Sequence, residues 1–94
     1  MNEKKIIEKK LALFRQEIDK IDDRIIKLLN RRGLLAQKIG ILKNKETMEI
    51  YQPQREVEVI NRMKRKSKTF NHVNIERIWK EIIEACKLIQ DVKV

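Results

Sequence analysis

Apolar residues recur along the first half of the chain at alternating spacings of four and three, at Ile7, Leu11, Phe14, Ile18, Ile21, Ile25, Leu28, Leu35, Ile39 and Leu42. A period of about 3.5 residues predicts one long amphipathic helix that begins within the first ten residues and carries a seam of about five heptads. One position in that register is Arg32. A guanidinium on a buried seam costs free energy unless an anion meets it or the side chain snorkels to solvent at the seam's edge. Gly33 and Gly40 interrupt the same stretch, each costing about 1 kcal/mol relative to Ala in a helix interior. Gly33 could cap a helix ending at Arg32, or both glycines could lie in one continuous helix where a backbone or ligand comes close. Because Leu35, Ile39 and Leu42 keep the phase set before Gly33, the continuous helix is the expectation.

The periodicity is lost over residues 44–52, and residues 44–49 read as a loop. Pro53 favours a first helical turn and pushes Gln52 into an extended conformation, so a second helix is expected over residues 53–66. Glu56, Ile60 and Met63 fall on one side of it, flanked by Val57 and Val59. Residues 67–72 form a polar connection. A third helix should start near Val73 or Asn74, with Asn74 as N-cap, and continue to about Gln90 or Asp91. Its stripe is Ile75, Ile78, Trp79, Ile82, Ile83, Cys86 and Ile89, with Gln90 at its border.

The resulting fold class is all-α, with three helices in the order long, short, medium, and residues 1–94 forming a single helical domain. A first helix of roughly 35 to 40 residues would be about 55 Å long, well beyond the diameter of a compact globule of this size. The economical arrangement is an intertwined homodimer in which two long seams pack on each other and the shorter helices cover them.

Charge narrows the partners without choosing one. The formal net charge of +9 favours anions, whether nucleic acid, acidic lipid or a small metabolite. Much of that charge sits in Lys4, Lys5, Lys9 and Lys10 and in Lys64, Arg65, Lys66 and Lys68, which read as solvated faces and a loop. A lone Cys86 excludes an internal disulfide and a thiolate cluster, and the single His72 makes no metal-ligand spacing, so neither a metal nor a cofactor is expected. The first ten residues are too charged for a signal peptide and no apolar run reaches 18 residues, which points to a soluble cytoplasmic protein without a membrane partner.

The remaining polar exceptions lie near the seam. Lys43 follows Arg32 by 11 residues, about 1100° of helical rotation, so the two project from nearly the same face about 16 Å apart along the axis. Two long side chains can close that gap over a ligand, helped because helical side chains lean toward the N-terminus. Arg15 is about 25 Å away along the same helix. If two antiparallel copies cross near residues 22–24, Arg15 of one faces Arg32 of the other. Arg55 and Glu56 sit in the first turn of the second helix, where an acidic residue is also ordinary dipole chemistry.

Taken in order, Arg15, Asp22, Leu28-Leu29-Asn30-Arg31-Arg32, Leu35-Ala36, Lys43, Tyr51-Gln52-Pro53-Gln54-Arg55-Glu56 and Ile82-Ile83-Glu84-Ala85-Cys86-Lys87-Leu88-Ile89-Gln90 resemble the all-helical class of chorismate mutases over nearly the whole chain. The resemblance implies a homodimer that isomerises chorismate to prephenate on the route to phenylalanine and tyrosine. It implies that Arg32, with Arg15 from the other subunit, holds the two substrate carboxylates, and that Lys43 and Gln90 hydrogen-bond the ether oxygen. Glu56 would accept from the ring hydroxyl and Arg55 would line the site. Two positions depart from the pattern: Gln52 stands where the family commonly has an acidic residue, and Cys86 where it often has Ser. Gln52 could still serve through its backbone, and Cys86 is small but a weak donor.

The implied chemistry suits the inventory. A Claisen-type rearrangement is concerted, so the protein need only hold a flexible dianion in its reactive conformer and stabilise the negative charge growing on the ether oxygen. An amide such as Gln90 donates without titrating, so an acidic pH is not required. A pericyclic isochorismate-pyruvate lyase on the same fold is the near alternative, and the pairing of Arg55-Glu56 with Gln90 favours the mutase. A basic helical nucleic-acid binder would place its cations on one exposed face rather than beside an apolar seam. A plain coiled-coil module would explain the heptads but not Arg32, Lys43 and Gln90 together.

Overall fold

The structure, a computed structural model, describes residues 2–46 and 52–90. It has three helices, α1 (Glu3–Lys45), α2 (Pro53–Lys66) and α3 (His72–Gln90), and no strand among the described residues. The all-α class and the long, short, medium order follow the hydrophobic pattern. Helix α1 runs unbroken through Gly33 and Gly40, as the continuous phase of its apolar positions requires. It also takes in Asn44 and Lys45, which were expected in the loop, and ends in a turn at Glu46, whose N–H donates to the Lys43 carbonyl at 3.2 Å. The rest of that expected loop, residues 47–49, lies outside the described residues, as does Asp91.

Two compact units divide the chain, Met1–Arg31 and Arg32–Val94. The first, where described, is the N-terminal part of α1, and every described residue in it except Leu29 is exposed. That includes Ile7, Leu11, Phe14, Ile18, Ile21, Ile25 and Leu28, with Phe14 64% accessible. A lone helix has no second element on which to bury such a stripe.

The second unit has a core of Val59, Ile60 and Ile83, against which Met63 and Trp79 pack. Ile75 and Cys86 on α3 are also buried, while Val57 and Ile78 turn out to solvent. In this unit α1 buries Gly33, Ala36 and Gly40, residues three and four apart and so on one face. The seam residues Leu35, Ile39 and Leu42 remain exposed beside them. The face of α1 that packs within the unit is therefore a stripe of small residues adjoining the predicted seam, because only side chains of little bulk let α3 come this near.

Gly40 shows how near. A Cβ there would lie 2.9 Å from both Cα and C of Gln90 and would overlap the Gln90 carbonyl oxygen. At Gly33 the nearest atom to a built Cβ is the terminal Cδ1 of Ile89 at 3.4 Å, an ordinary contact.

Local chemistry sets the helix ends. Pro53 occupies the first turn of α2, and Gln52 before it has φ −128° and ψ 78°, outside the helical region, with its carbonyl accepting the Glu56 N–H at 3.2 Å. At the other end the Ser67 N–H donates to the Met63 carbonyl at 3.0 Å, and the Ser67 hydroxyl donates to the Phe70 carbonyl at 2.8 Å. The N-cap of α3 is Asn71 rather than Asn74: the Asn74 N–H donates to Asn71 Oδ1 at 2.9 Å. This starts the helix at His72, because an N-cap side chain satisfies the orphan N–H three residues ahead.

Lys64 and Glu76 tie α2 to α3 through a 2.9 Å bond. That hydrogen bond, then the charges of Lys64 and Lys80, hold the Glu76 carboxyl below its usual value of 4.5. A carboxylate depressed in the folded state adds stability that is present above the unfolded value and lost as pH falls through the folded one. Glu76→Gln should accordingly flatten the fall in unfolding free energy below pH 4.5, read by urea unfolding at stepped pH. In the same assay at neutral pH, Gly33→Ala should be neutral or stabilising by up to about 1 kcal/mol from helix propensity. Gly40→Ala should destabilise by about 1–3 kcal/mol, since the obstructing atoms are backbone and cannot rotate away.

Candidate active site

Within the second unit a pocket of about 590 Å³ opens between the three helices, a size suited to a small-molecule ligand. The residues nominated from the sequence converge on it: Arg32 and Lys43 from α1, Gln52 just before α2, Arg55 and Glu56 from its first turn, and Cys86 and Gln90 from α3 all line its wall. Arg15 does not; it is an exposed residue of the first unit.

Each element delivers its residues for a local reason. The helical repeat puts Arg32, Leu35, Ala36, Ile39 and Lys43 on one side of α1, and all five line the pocket. The helix start at Pro53 presents Arg55 and Glu56 as a pair, and the residue spacing 83, 86, 87, 90 puts Ile83, Cys86, Lys87 and Gln90 on one face of α3. Val59 adds a further apolar wall. Low-polarity walls beside cations strengthen electrostatic attraction relative to water.

Charge in the pocket is lopsided. Arg32, Lys43, Arg55 and Lys87 oppose one carboxylate, Glu56. Arg32 is half-buried and, among the described residues, has no carboxylate within ion-pair distance. Arg55 meets Glu58 at 3.6 Å, but both side chains are about 60% exposed, so that pair contributes little. The arrangement favours a ligand with more than one negative charge.

Two of these groups are already in contact. The Lys43 ammonium donates to Gln90 Oε1 at 3.4 Å across 47 residues of sequence. With its oxygen turned to Lys43, the Gln90 amide has its NH₂ to offer a ligand. Gly40 sits one turn before Lys43, so the close approach of Gln90 at Gly40 is what brings this pair together. Cys86 is buried at 7% accessibility, a small residue of the pocket lining rather than a projecting donor. Gln52 keeps its backbone carbonyl engaged as the cap of α2.

Lys87 was not among the residues nominated from sequence. Its Nζ lies 3.4 Å from Glu56 Oε2 and 3.1 Å from Glu84 Oε2. A lysine one turn after Ile83, on the stripe that also carries Gln90, was the available signal. Hydrogen bonding to Glu84 and then Glu56 raises its pKa against the opposing effect of burial.

Comparison with known proteins gives the chain a family. The sequence pattern of the family described as chorismate mutase type II matches residues 14–91. The chain is 39% identical over 90 residues to a bifunctional chorismate mutase/prephenate dehydratase of Aquifex aeolicus, covering 89% of this chain but 25% of that protein. It is 34% identical over 84 residues to a chorismate mutase of Methanocaldococcus jannaschii, covering 86% of this chain and 84% of that one. The solved structure of chorismate mutase (form II) from Thermus thermophilus superposes with a TM-score of 0.86 at 28% identity, over 89% of this chain and 97% of that chain. The chain thus spans about a quarter of the bifunctional relative and most of the two shorter ones. With the match running from Phe14 in α1 past the end of α3, the chain belongs to the chorismate mutase type II family.

Proposed function

We propose that this chain is a chorismate mutase acting on its own or as part of a longer protein, converting chorismate to prephenate by conformational restraint and electrostatic stabilisation. The single observation that carries the reading is the convergence of Arg32, Lys43 and Gln90 on one pocket with the Lys43–Gln90 contact at 3.4 Å. The substrate is a dianion whose two arms must fold over each other before the rearrangement. Arg32 fixes one carboxylate. Lys43 and the Gln90 NH₂ converge on the ether oxygen, where negative charge grows as the C–O bond breaks. Preorganised donors of this kind act without reorganisation at the moment of reaction. Glu56 accepts from the ring hydroxyl, Arg55 closes the wall, and Cys86 and Gln52 shape the floor and rim.

The second carboxylate is met by Arg15 of another copy in a homodimer. Support comes from the exposed apolar stripe of residues 7–28, which at heptad spacing suits a second helix of the same kind. Pairing two such stripes would bury surface that a lone helix leaves in water. A reducing cytoplasm suits the unpaired Cys86 thiol, and among the described residues no helix is long and apolar enough to cross a membrane.

The deciding experiment follows chorismate loss and prephenate appearance with purified protein, with isochorismate assayed in parallel. Turnover of chorismate is expected; pyruvate release from isochorismate without chorismate turnover would overturn the assignment. Arg32→Ala should lower kcat/KM at least about a hundredfold while the circular dichroism spectrum stays helical. Mixing Arg15→Ala chains with Lys43→Ala chains should recover part of the activity lost in each, since one composite site per heterodimer is then intact. Verified subunit exchange without recovery would show that Arg15 is not shared.

A further inference from the structure

We infer that Lys87 is a positioning residue for Glu56, holding the pocket's one described carboxylate in place and offsetting its charge so that a dianion can bind beside it. The inference rests on the mutase reading and goes beyond it, since that reading gives Lys87 no part.

A carboxylate in a pocket for a dianion is a liability. Like charges repel, and side chains shielded from solvent are screened little by salt. Glu56 is 26% exposed and Lys87 22%, so the pair is largely shielded. Glu84, the other partner of Lys87, is 61% exposed and anchors the ammonium from the solvent side. Lys87 bonds Glu56 Oε2, and Glu56 Oε1 has no protein partner among the described residues. One oxygen is thus fixed while the other can accept from a hydroxyl. The link also joins α2 to α3 across the pocket wall, setting the direction of a side chain that would otherwise sample several rotamers. A lysine held by two carboxylates stays charged at neutral pH, and its raised pKa agrees.

Chorismate kinetics of the full chain test this with wild type, Lys87→Met, Lys87→Arg, Glu56→Gln and the Glu56→Gln/Lys87→Met double variant, each checked by thermal unfolding. Lys87→Met should raise KM about tenfold with a smaller change in kcat, as expected for loss of binding made in ground and transition states alike. Lys87→Arg should restore KM to within about threefold of wild type, because a guanidinium keeps the charge and the donors. In the Glu56→Gln background, Lys87→Met should cost little more, since coupled residues are non-additive. Lys87→Gln replaces Lys87→Met if the latter fails to fold. Unchanged KM in Lys87→Met, or an equal loss with Glu56 already replaced, overturns the inference while the mutase reading stands. A wild-type protein without chorismate turnover overturns that reading and this inference with it.

Discussion

The close approach of α3 to α1 at Gly40 governs the geometry of the second unit. Two helices come as near as their facing side chains allow, and Gly33, Ala36 and Gly40 present almost none. The C-terminal turn of α3 consequently reaches the backbone of α1, and Gln90 arrives within hydrogen-bond range of Lys43 one turn further on. Gly40 inside the helix gives up about 1 kcal/mol of helix propensity. What that loss obtains is a fixed distance between two polar groups on different helices, the kind of preorganisation that charge stabilisation in a transition state needs.

Around that contact the pocket combines four cations, one carboxylate and apolar walls. Lys87 meets Glu56 and Glu84 and Arg55 meets Glu58, yet the lining keeps a net positive charge that attracts an anion. Arg32 illustrates this best, being half-buried without a carboxylate partner among the described residues. In the proposed reaction it is the ligand's own charge that completes the electrostatics, which couples binding to the conformation required for chemistry. Glu56 is tolerated in this setting because Lys87 meets it.

The first unit poses the opposite problem, an apolar stripe in place of an unmatched charge. Its exposed residues recur at heptad spacing, which is the pattern of a helix that packs against another long helix. In the proposed homodimer this stripe and the site serve one another: the pairing that covers it also carries Arg15 to the partner's pocket. Family membership rests on a match that begins at Phe14, so it takes in much of this stripe as well as the pocket.

The amino-acid sequence alone determined the three helices, the continuity of α1 through its glycines and seven of the residues that line the pocket. Those features depend on local periodicity, on Pro53 as a starter and on an ordered set of polar residues, all of which are written along one chain. It misplaced the cap of α3, where Asn71 and Asn74 are chemically alike and only backbone geometry chooses between them. Tertiary structure alone decided which face of α1 packs inside the unit, because a stripe of Gly and Ala carries little hydrophobic signal although it is buried. It alone brought Lys87 to Glu56 as well, since a pair separated by 31 residues exists only once α2 and α3 lie side by side.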